Sequence, residues 1–172
     1  MARIIVPTPA IEGMTLLSTT TLSGSSTTIS NINQSYKHLK ITVIDAFGSE
    51  TGDFRYRLNG NSTASNYLFH WIRVNGSGTV SGGADGNSYS QLGGIGTSGG
   101  WNAGNHVNLD IYRYRETQSK AIFWTTRSAF SGSSFYYTGY TAFLPTTAIS
   151  EIQFFPASGT FSGGTVYIYG VN

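Results

Sequence analysis

Three histidines, His38, His70 and His106, are the side chains best suited to hold a metal or move a proton. They lie far apart, each in or beside a stretch that reads as a strand. A zinc site would need them to converge with a fourth ligand, so ordinary strand histidines are expected. The eight carboxylates sit mostly singly, in turns or on polar strand faces, and there is no Gly-x-Ser-x-Gly elbow. Gly94-Ile95-Gly96-Thr97-Ser98-Gly99 has the letters of a dinucleotide fingerprint, yet it neither leaves an apolar strand nor opens a helix; it reads as a Gly-rich loop. Gly82-Gly83-Ala84-Asp85-Gly86-Asn87 is similar to a single calcium-turn repeat, a site that stacked repeats create. Asn33-Gln34-Ser35, Asn61-Ser62-Thr63 and Asn75-Gly76-Ser77 spell glycosylation acceptors and read as Asn-rich turns. No catalytic residue, cofactor or metal ligand is expected, and the protein reads as a non-enzyme.

Residues suited to contact are more prominent. Trp101, Tyr112, Tyr114, Tyr136 and Tyr140 are expected at the surface, where amphipathic rings stack on sugars or fill a subunit interface. Core and cross-strand packing is the competing role. Residues 1–13 form an apolar arm: Ile4, Ile5, Val6 and Ile11 have no polar alternation, and Pro7 and Pro9 forbid a helix and favour extended or polyproline backbone. The arm is expected to be either an edge strand or frayed terminus, or a hook onto a neighbouring subunit.

The elements that must carry these residues read as strands. Only 10% of residues are charged, against about a quarter in ordinary domains, and no useful window repeats apolar residues every 3.6 positions. A chain of 172 residues is expected to form one domain over 14–172, burying roughly two-thirds of its unfolded surface. The ten basic residues are dispersed and net charge is +2, so neither nucleic acid nor membrane is an expected partner. Without cysteine, stability must come from packing, sheet hydrogen bonds or association. The start of the chain has too short an apolar run for a signal or a span, which makes a soluble protein made in a cytoplasm the expectation.

Two strands of a hairpin-like unit are expected between Met14 and Ile32, turning at Ser23-Gly24-Ser25. Leu39, Ile41 and Val43 alternate with His38, Lys40 and Thr42, and Phe54, Tyr56 and Leu58 with Arg55 and Arg57, before a turn at Asn59-Gly60. Tyr67 to Val74 has large residues on both faces, which predicts one face on the core and the other on a loop or partner. Residues 76–104 read as a long Gly-rich surface excursion that buries almost nothing, with a short hairpin of its own around Tyr89 to Ile95. Further strands are expected at His106 to Arg115, Lys120 to Arg127, Phe135 to Leu144 and Ile149 to Phe155, the last stopped by Pro156. A closing strand follows a turn at Gly163-Gly164, with Val166, Ile168 and Gly170 on one face. About nine or ten strands at these spacings predict an antiparallel sandwich.

Leu17-Ser18-Thr19-Thr20-Thr21-Leu22-Ser23-Gly24-Ser25, Ile29-Ser30-Asn31-Ile32 leading into Tyr36-Lys37-His38-Leu39, Leu58-Asn59-Gly60-Asn61 with Asn66-Tyr67, and Gly163-Gly164-Thr165-Val166-Tyr167-Ile168-Tyr169-Gly170-Val171 together carry a resemblance. In this order the chain resembles small tailed-bacteriophage structural proteins, over residues 14 to 172 in outline. The resemblance implies a jelly-roll β-sandwich and a virion location, on the capsid exterior or tail. It implies a capsid decoration (cement) protein that stabilises the shell as a homo-oligomer, with a trimer favoured and the major capsid protein or other virion proteins as partners. A tail-fibre module touching a host glycan, and a free carbohydrate-binding lectin domain, are the alternatives.

Overall fold

Where apolar and polar residues alternate, one face of a strand is buried and the other is wet. That period of two governs most of this chain. The computed structural model describes residues 13–97, 105–130 and 133–172, and every regular element among them is a β-strand. In order these are β1 (Thr15–Thr21), β2 (Thr27–Ile29), β3 (His38–Gly48), β4 (Gly52–Leu58), β5 (Tyr67–Asn75), β6 (Gly78–Asn87), β7 (Ser90–Ile95), β8 (Asn105–Ile111), β9 (Lys120–Phe130), β10 (Ser133–Phe143), β11 (Ile152–Pro156) and β12 (Phe161–Val171).

Eight of them pair as one long antiparallel hairpin rolled upon itself: β1 with β12, β2 with β11, β3 with β8 and β4 with β7. The resulting orders, β1-β12-β3-β8 and β2-β11-β4-β7, are those of a jelly roll. The other four strands are insertions. β5 and β6 lie between β4 and β7 in the chain, β9 and β10 between β8 and β11, and all four extend the first sheet beyond β8 in the order β9-β10-β5-β6. One sheet therefore has eight strands and the other four. The all-β antiparallel sandwich agrees with the sequence expectation, with twelve strands among the described residues rather than nine or ten.

Between the sheets, Leu39, Ile41, Val43, Val107, Leu109, Val166 and Ile168 meet an aromatic group of Phe54, Tyr56, Phe154 and Phe161. Phe54 packs 5.8 Å from both Phe154 and Phe161, centroid to centroid. Each buried side chain of this kind contributes about 1.5–3 kcal/mol relative to exposure.

Four expectations need correcting. The strands after Met14 are not a hairpin: β1 joins β12 in one sheet and β2 joins β11 in the other. The turn between them is pinned across the sandwich edge by Phe161 N donating to Gly24 O and Ser23 N donating to Thr27 Oγ1. The span expected to be an excursion contains two full strands, β6 and β7, and Leu92 and Ile95 are fully buried. Its glycines make room for bulky neighbours, since a Cβ on Gly82 would stand 2.4 Å from the Trp71 ring. Residues 98–104 of that span lie outside the described residues. Gly163 and Gly164 form no turn. They lie within β12, where the register with β3 slips, and Gly164 has a φ of 125°, so the pair is a β-bulge. Pro156 pairs opposite Phe54 as the last residue of β11.

Candidate interaction face

Inward positions of the added strands are taken by Ile122, Trp124 and Thr126 of β9, Tyr137, Thr141 and Phe143 of β10, and Tyr67 and Phe69 of β5. Alternation then turns their neighbours outward. In register, one row across the sheet reads Leu16, Tyr169, Lys40, Asp110, Phe123, Tyr140, His70, Gly83. The next reads Thr125, Thr138, Ile72, Ser81, and a third Arg127, Tyr136, Val74, Thr79. Ile72, Val74, Tyr112, Phe123, Tyr136 and Tyr140 are each between 43% and 53% exposed. This is a contiguous patch. Exposed large side chains are unremarkable singly, whereas adjacent ones mark a contact surface.

The patch has internal order. The His70 and Tyr140 rings lie 5.6 Å apart, tilted by 30°, and Tyr112 stands edge-on to Phe123 at 6.1 Å and to His38 at 5.3 Å. His70 Nε2 lies 3.0 Å from Asp85 Oδ1, which orients the imidazole. His70, Ile72, Ser81, Phe123, Thr138 and Tyr140 line a shallow, open groove of about 590 Å³. Beyond Tyr112 a smaller hollow of about 180 Å³ is lined by Met14, His38, Lys40, Asp110, Tyr112 and Val171. Lys40 Nζ and Asp110 Oδ1 pair across it at 3.2 Å.

Of the five aromatics expected at the surface, three lie on this face: Tyr112, Tyr136 and Tyr140. Tyr114 is a correction, being fully buried. β8 ends at Ile111, Arg113 takes a φ of 54°, and the chain turns so that Tyr114 swings under the end of the sandwich. Its hydroxyl donates to Asn33 O and its carbonyl accepts from Ile149 N; burial pushes its phenol pKa up. Trp101 and the arm residues Ile4, Ile5, Val6, Pro7, Pro9 and Ile11 lie outside the described residues. Sequence reasoning did not place Phe123, Ile72 or Val74 on a contact surface, and it read His70 as an ordinary strand histidine. Their signal was present in the apolar residues on both faces of Tyr67 to Val74 and in the adjacent Phe123 and Trp124, of which only one can face the core.

The other candidate motifs are structural. His38 Nδ1 accepts from Arg113 N, and His106 Nε2 lies 3.3 Å from Asp45 Oδ1, so each histidine has a separate partner. Among the described residues no three of His, Cys, Asp and Glu are grouped to hold a metal ion. All three glycosylation-like triplets are Asx turns, with Asn33, Asn61 and Asn75 Oδ1 accepting from the backbone N–H two residues on, at 2.8–3.0 Å. Lys120 is buried. Its ammonium donates to the carbonyls of Glu116, Gln118 and Thr147, which matches its three donors and ties two loops together. Desolvation lowers its pKa. Tyr56 sits in the core beside the hydrogen-bonded pair Ser90 and Thr141, and burial raises its pKa far above the ordinary phenol value.

No family model matches the chain, and no curated protein matches it. Among solved structures, the CspB protease of Clostridium perfringens is similar over 92% of this chain and 25% of that one, at 11% identity and a TM-score of 0.25. The chain thus spans about a quarter of that protein's length, and a likeness at this score carries no argument about fold or activity.

Proposed function

We propose that this protein is a structural component of a virus particle, of the capsid-decoration kind, that works by non-covalent association through the outer face of its eight-stranded sheet. The exposed patch of Phe123, Tyr140, Ile72, Tyr136, Val74 and Tyr112 carries the proposal. Its composition is that of an interface centre, aromatic and aliphatic with few charges. The resemblance to small bacteriophage structural proteins supports the setting, and the jelly-roll connectivity is compatible with it. The partner would be the outer surface of the shell, stabilised by the added buried area. A binding assay on purified shells tests this, with full-length protein competed against Phe123→Asp and Tyr140→Asp variants. Loss of occupancy by both variants is expected. Equal occupancy, with the variants folded as judged by an unchanged unfolding temperature, overturns it.

A second reading is favoured by one arrangement. The Tyr140 ring lies against His70, whose Nε2 is 3.0 Å from Asp85 Oδ1, so an aromatic platform stands beside groups able to hydrogen-bond sugar hydroxyls. That is a plan for a tail module touching host glycan. Glycan binding by isolated protein, abolished by Tyr140→Ala while shell binding is absent, would select it.

A further inference from the structure

Each sheet of the sandwich ends in two edge strands, whose outward backbone groups need water or a partner. Three of these edges are guarded. β2 is three residues long, β7 is buried along nearly its whole length, and the register of β1 slips at Leu17. β6 has no such guard. Among the described residues no strand pairs with its far side, its register with β5 runs unbroken from Gly78 to Asp85, and Gly78–Asn87 contains no proline, lysine or arginine. We propose that β6 is the seat of β6 from a second copy of this chain, paired antiparallel about a two-fold axis through Gly82. The pairing does not depend on the virion assignment, and it leaves the outer-face patch uncovered.

The phase of the β5–β6 hairpin decides what the open edge offers. Its two-residue loop, Gly76-Ser77, closes on the hydrogen-bonded pair Asn75 and Gly78, and antiparallel pairs alternate from there. Val80, Gly82 and Ala84 therefore bond to β5, while the N–H and C=O groups of Thr79, Ser81, Gly83 and Asp85 point to the open side. An identical strand laid antiparallel presents the same residues in reverse. Thr79 then stands opposite Asp85 of the second copy and Ser81 opposite its Gly83, and the pattern repeats beyond the axis as a ladder of about eight hydrogen bonds. Sliding the register by a pair of residues either way loses rungs, to the turn at Gly78 or to the slip beyond Asp85.

Charge and side-chain chemistry select a second copy as the occupant. Asp85 is the one charged side chain of β6; it is 70% exposed, and its Oδ1 lies on His70 Nε2 with acceptor sites to spare. In this register the Thr79 hydroxyl of the second copy stands opposite and donates to that carboxylate, and the contact occurs again across the axis. The like charges stay apart. Along the ladder the two Asp85 carboxylates are about 20 Å from each other, well beyond the ~8–10 Å screening length. On the inward side, half-exposed Val80 meets Ala84 of the second copy. β1 of another copy is a poorer occupant, because its slip at Leu17 would break the ladder. A two-fold axis perpendicular to the sheet keeps both outer faces on one side, so the dimer carries two contact patches facing the same way. One strand per copy covers less than the ~1,200 Å² of a stable interface, so the dimer is expected to form and dissociate with concentration.

The chain contains no cysteine, so full-length Val80→Cys/Ala84→Cys tests the register directly. Across the dimer these positions form a non-hydrogen-bonded pair with Cα atoms about 4.5 Å apart, within disulfide reach; on one strand they stand about 13 Å apart and cannot join. Under mild oxidation a covalent dimer is expected at least tenfold faster than from either single variant. Equal rates overturn the pairing. Sedimentation equilibrium supplies a second measurement that needs no cysteine. Thr79→Lys puts an ammonium opposite the second copy's Asp85 and should tighten the dimer at least threefold at low salt, while Thr79→Glu should weaken it at least threefold, both with an unchanged unfolding temperature at high dilution. Charge variants that do not differ in sign overturn the register. A protein that stays monomeric at every concentration up to about 1 mM, or that associates as a trimer, overturns the dimer itself. Shell binding enters neither readout, so the dimer and the virion reading fail separately.

Discussion

Within the roll, strands β1-β12-β3-β8 present to water Thr19, Thr42 hydrogen-bonded to Asn108 at 3.0 Å, and Lys40 paired with Asp110 at 3.2 Å. Across the boundary at β9 the same register rows continue, yet their outward residues become Phe123, Tyr140, Ile72, Tyr136 and Val74. Backbone geometry does not change there; side-chain chemistry does. The inward faces also differ. Those of the roll are sealed by the four-stranded sheet, whereas at the far edge of the extension Val80, whose register partner Arg73 points inward beside Phe135, remains half-exposed. The comparison separates scaffold from contact surface. Eight strands pair in the pattern of a closed roll, and four inserted strands widen one sheet into a platform whose inward residues, Ile122, Trp124, Tyr137 and Phe143, join the core while its outward positions are free of the core's demands.

Phe154→Ala should produce the largest effect, because it strikes the sealed part. Phe154 is fully buried and packs against Phe54 at 5.8 Å and Tyr56 at 6.5 Å. Removing a buried phenyl ring costs about 3–5 kcal/mol, the transfer term plus the cavity left behind. Denaturant unfolding should show the midpoint falling accordingly. A loss below about 1 kcal/mol would mean that the two sheets do not share a tightly packed interior.

A middle-sized effect is expected at the joint between the two regions. Tyr67 opens β5, just after the chain has left β4, and its hydroxyl accepts from Leu58 N at 2.8 Å and donates to Asn61 O at 3.2 Å. Tyr67→Phe leaves the buried Leu58 N–H without that partner, a loss of about 1–3 kcal/mol. Burial pushes the Tyr67 pKa up to about 12, above the ordinary phenol value of about 10. An acid whose folded pKa is raised keeps its proton in the folded state. Its contribution is thus fully present below about pH 10 and is lost as pH rises through 10 toward 12. Burial raises the pKa values of Tyr114 and Tyr137 too, so they act in the same direction. Unfolding followed between pH 8 and 12 should show stability falling across the upper part of that range, with a shallower fall in Tyr67→Phe. Identical slopes in the two proteins would remove Tyr67 from the explanation.

The two regions were not equally legible. In the roll, Leu39/Ile41/Val43, Phe54/Tyr56/Leu58, Val107/Leu109/Ile111 and Val166/Ile168/Gly170 alternate plainly, since a sealed core demands apolar residues at every second position. β6 was hidden because its inward position at Gly82 is occupied by the ring of Trp71, and a residue defined by its neighbour's bulk reads as a loop. β7 was hidden in the same way, with Gly93 lying against Tyr137. Gly163-Gly164 was misread because a bulge and a turn ask for the same residues. For the contact face, the ring types were visible but their direction was not. A tyrosine three positions beyond a strand end, such as Tyr114, points wherever the backbone of Arg113 sends it, and a positive φ at an arginine has no sequence signature. Adjacent Phe123 and Trp124 posed the remaining ambiguity, which only the parity of the whole strand resolves.

The smallest expected effect is the sharpest test of the comparison, because it uses the same residue type as the largest. Phe123 carries the same phenyl ring as Phe154 but lies 53% exposed at the centre of the outer face, touching Tyr112 edge-on at 6.1 Å. Two opposing terms act on Phe123→Ala. It forfeits an exposed aromatic contact of roughly 0.5 kcal/mol and some strand preference, and it releases a hydrophobic ring from water at no cost to the core. The net change should fall within about 0.5 kcal/mol of zero at high dilution, where association is absent. A loss comparable to that of Phe154→Ala would show that the extension's outer face is packed from within the chain. Phe123 would then belong to the folded sheet itself, and the division of the molecule into a sealed roll and a contact platform would fail at its central residue.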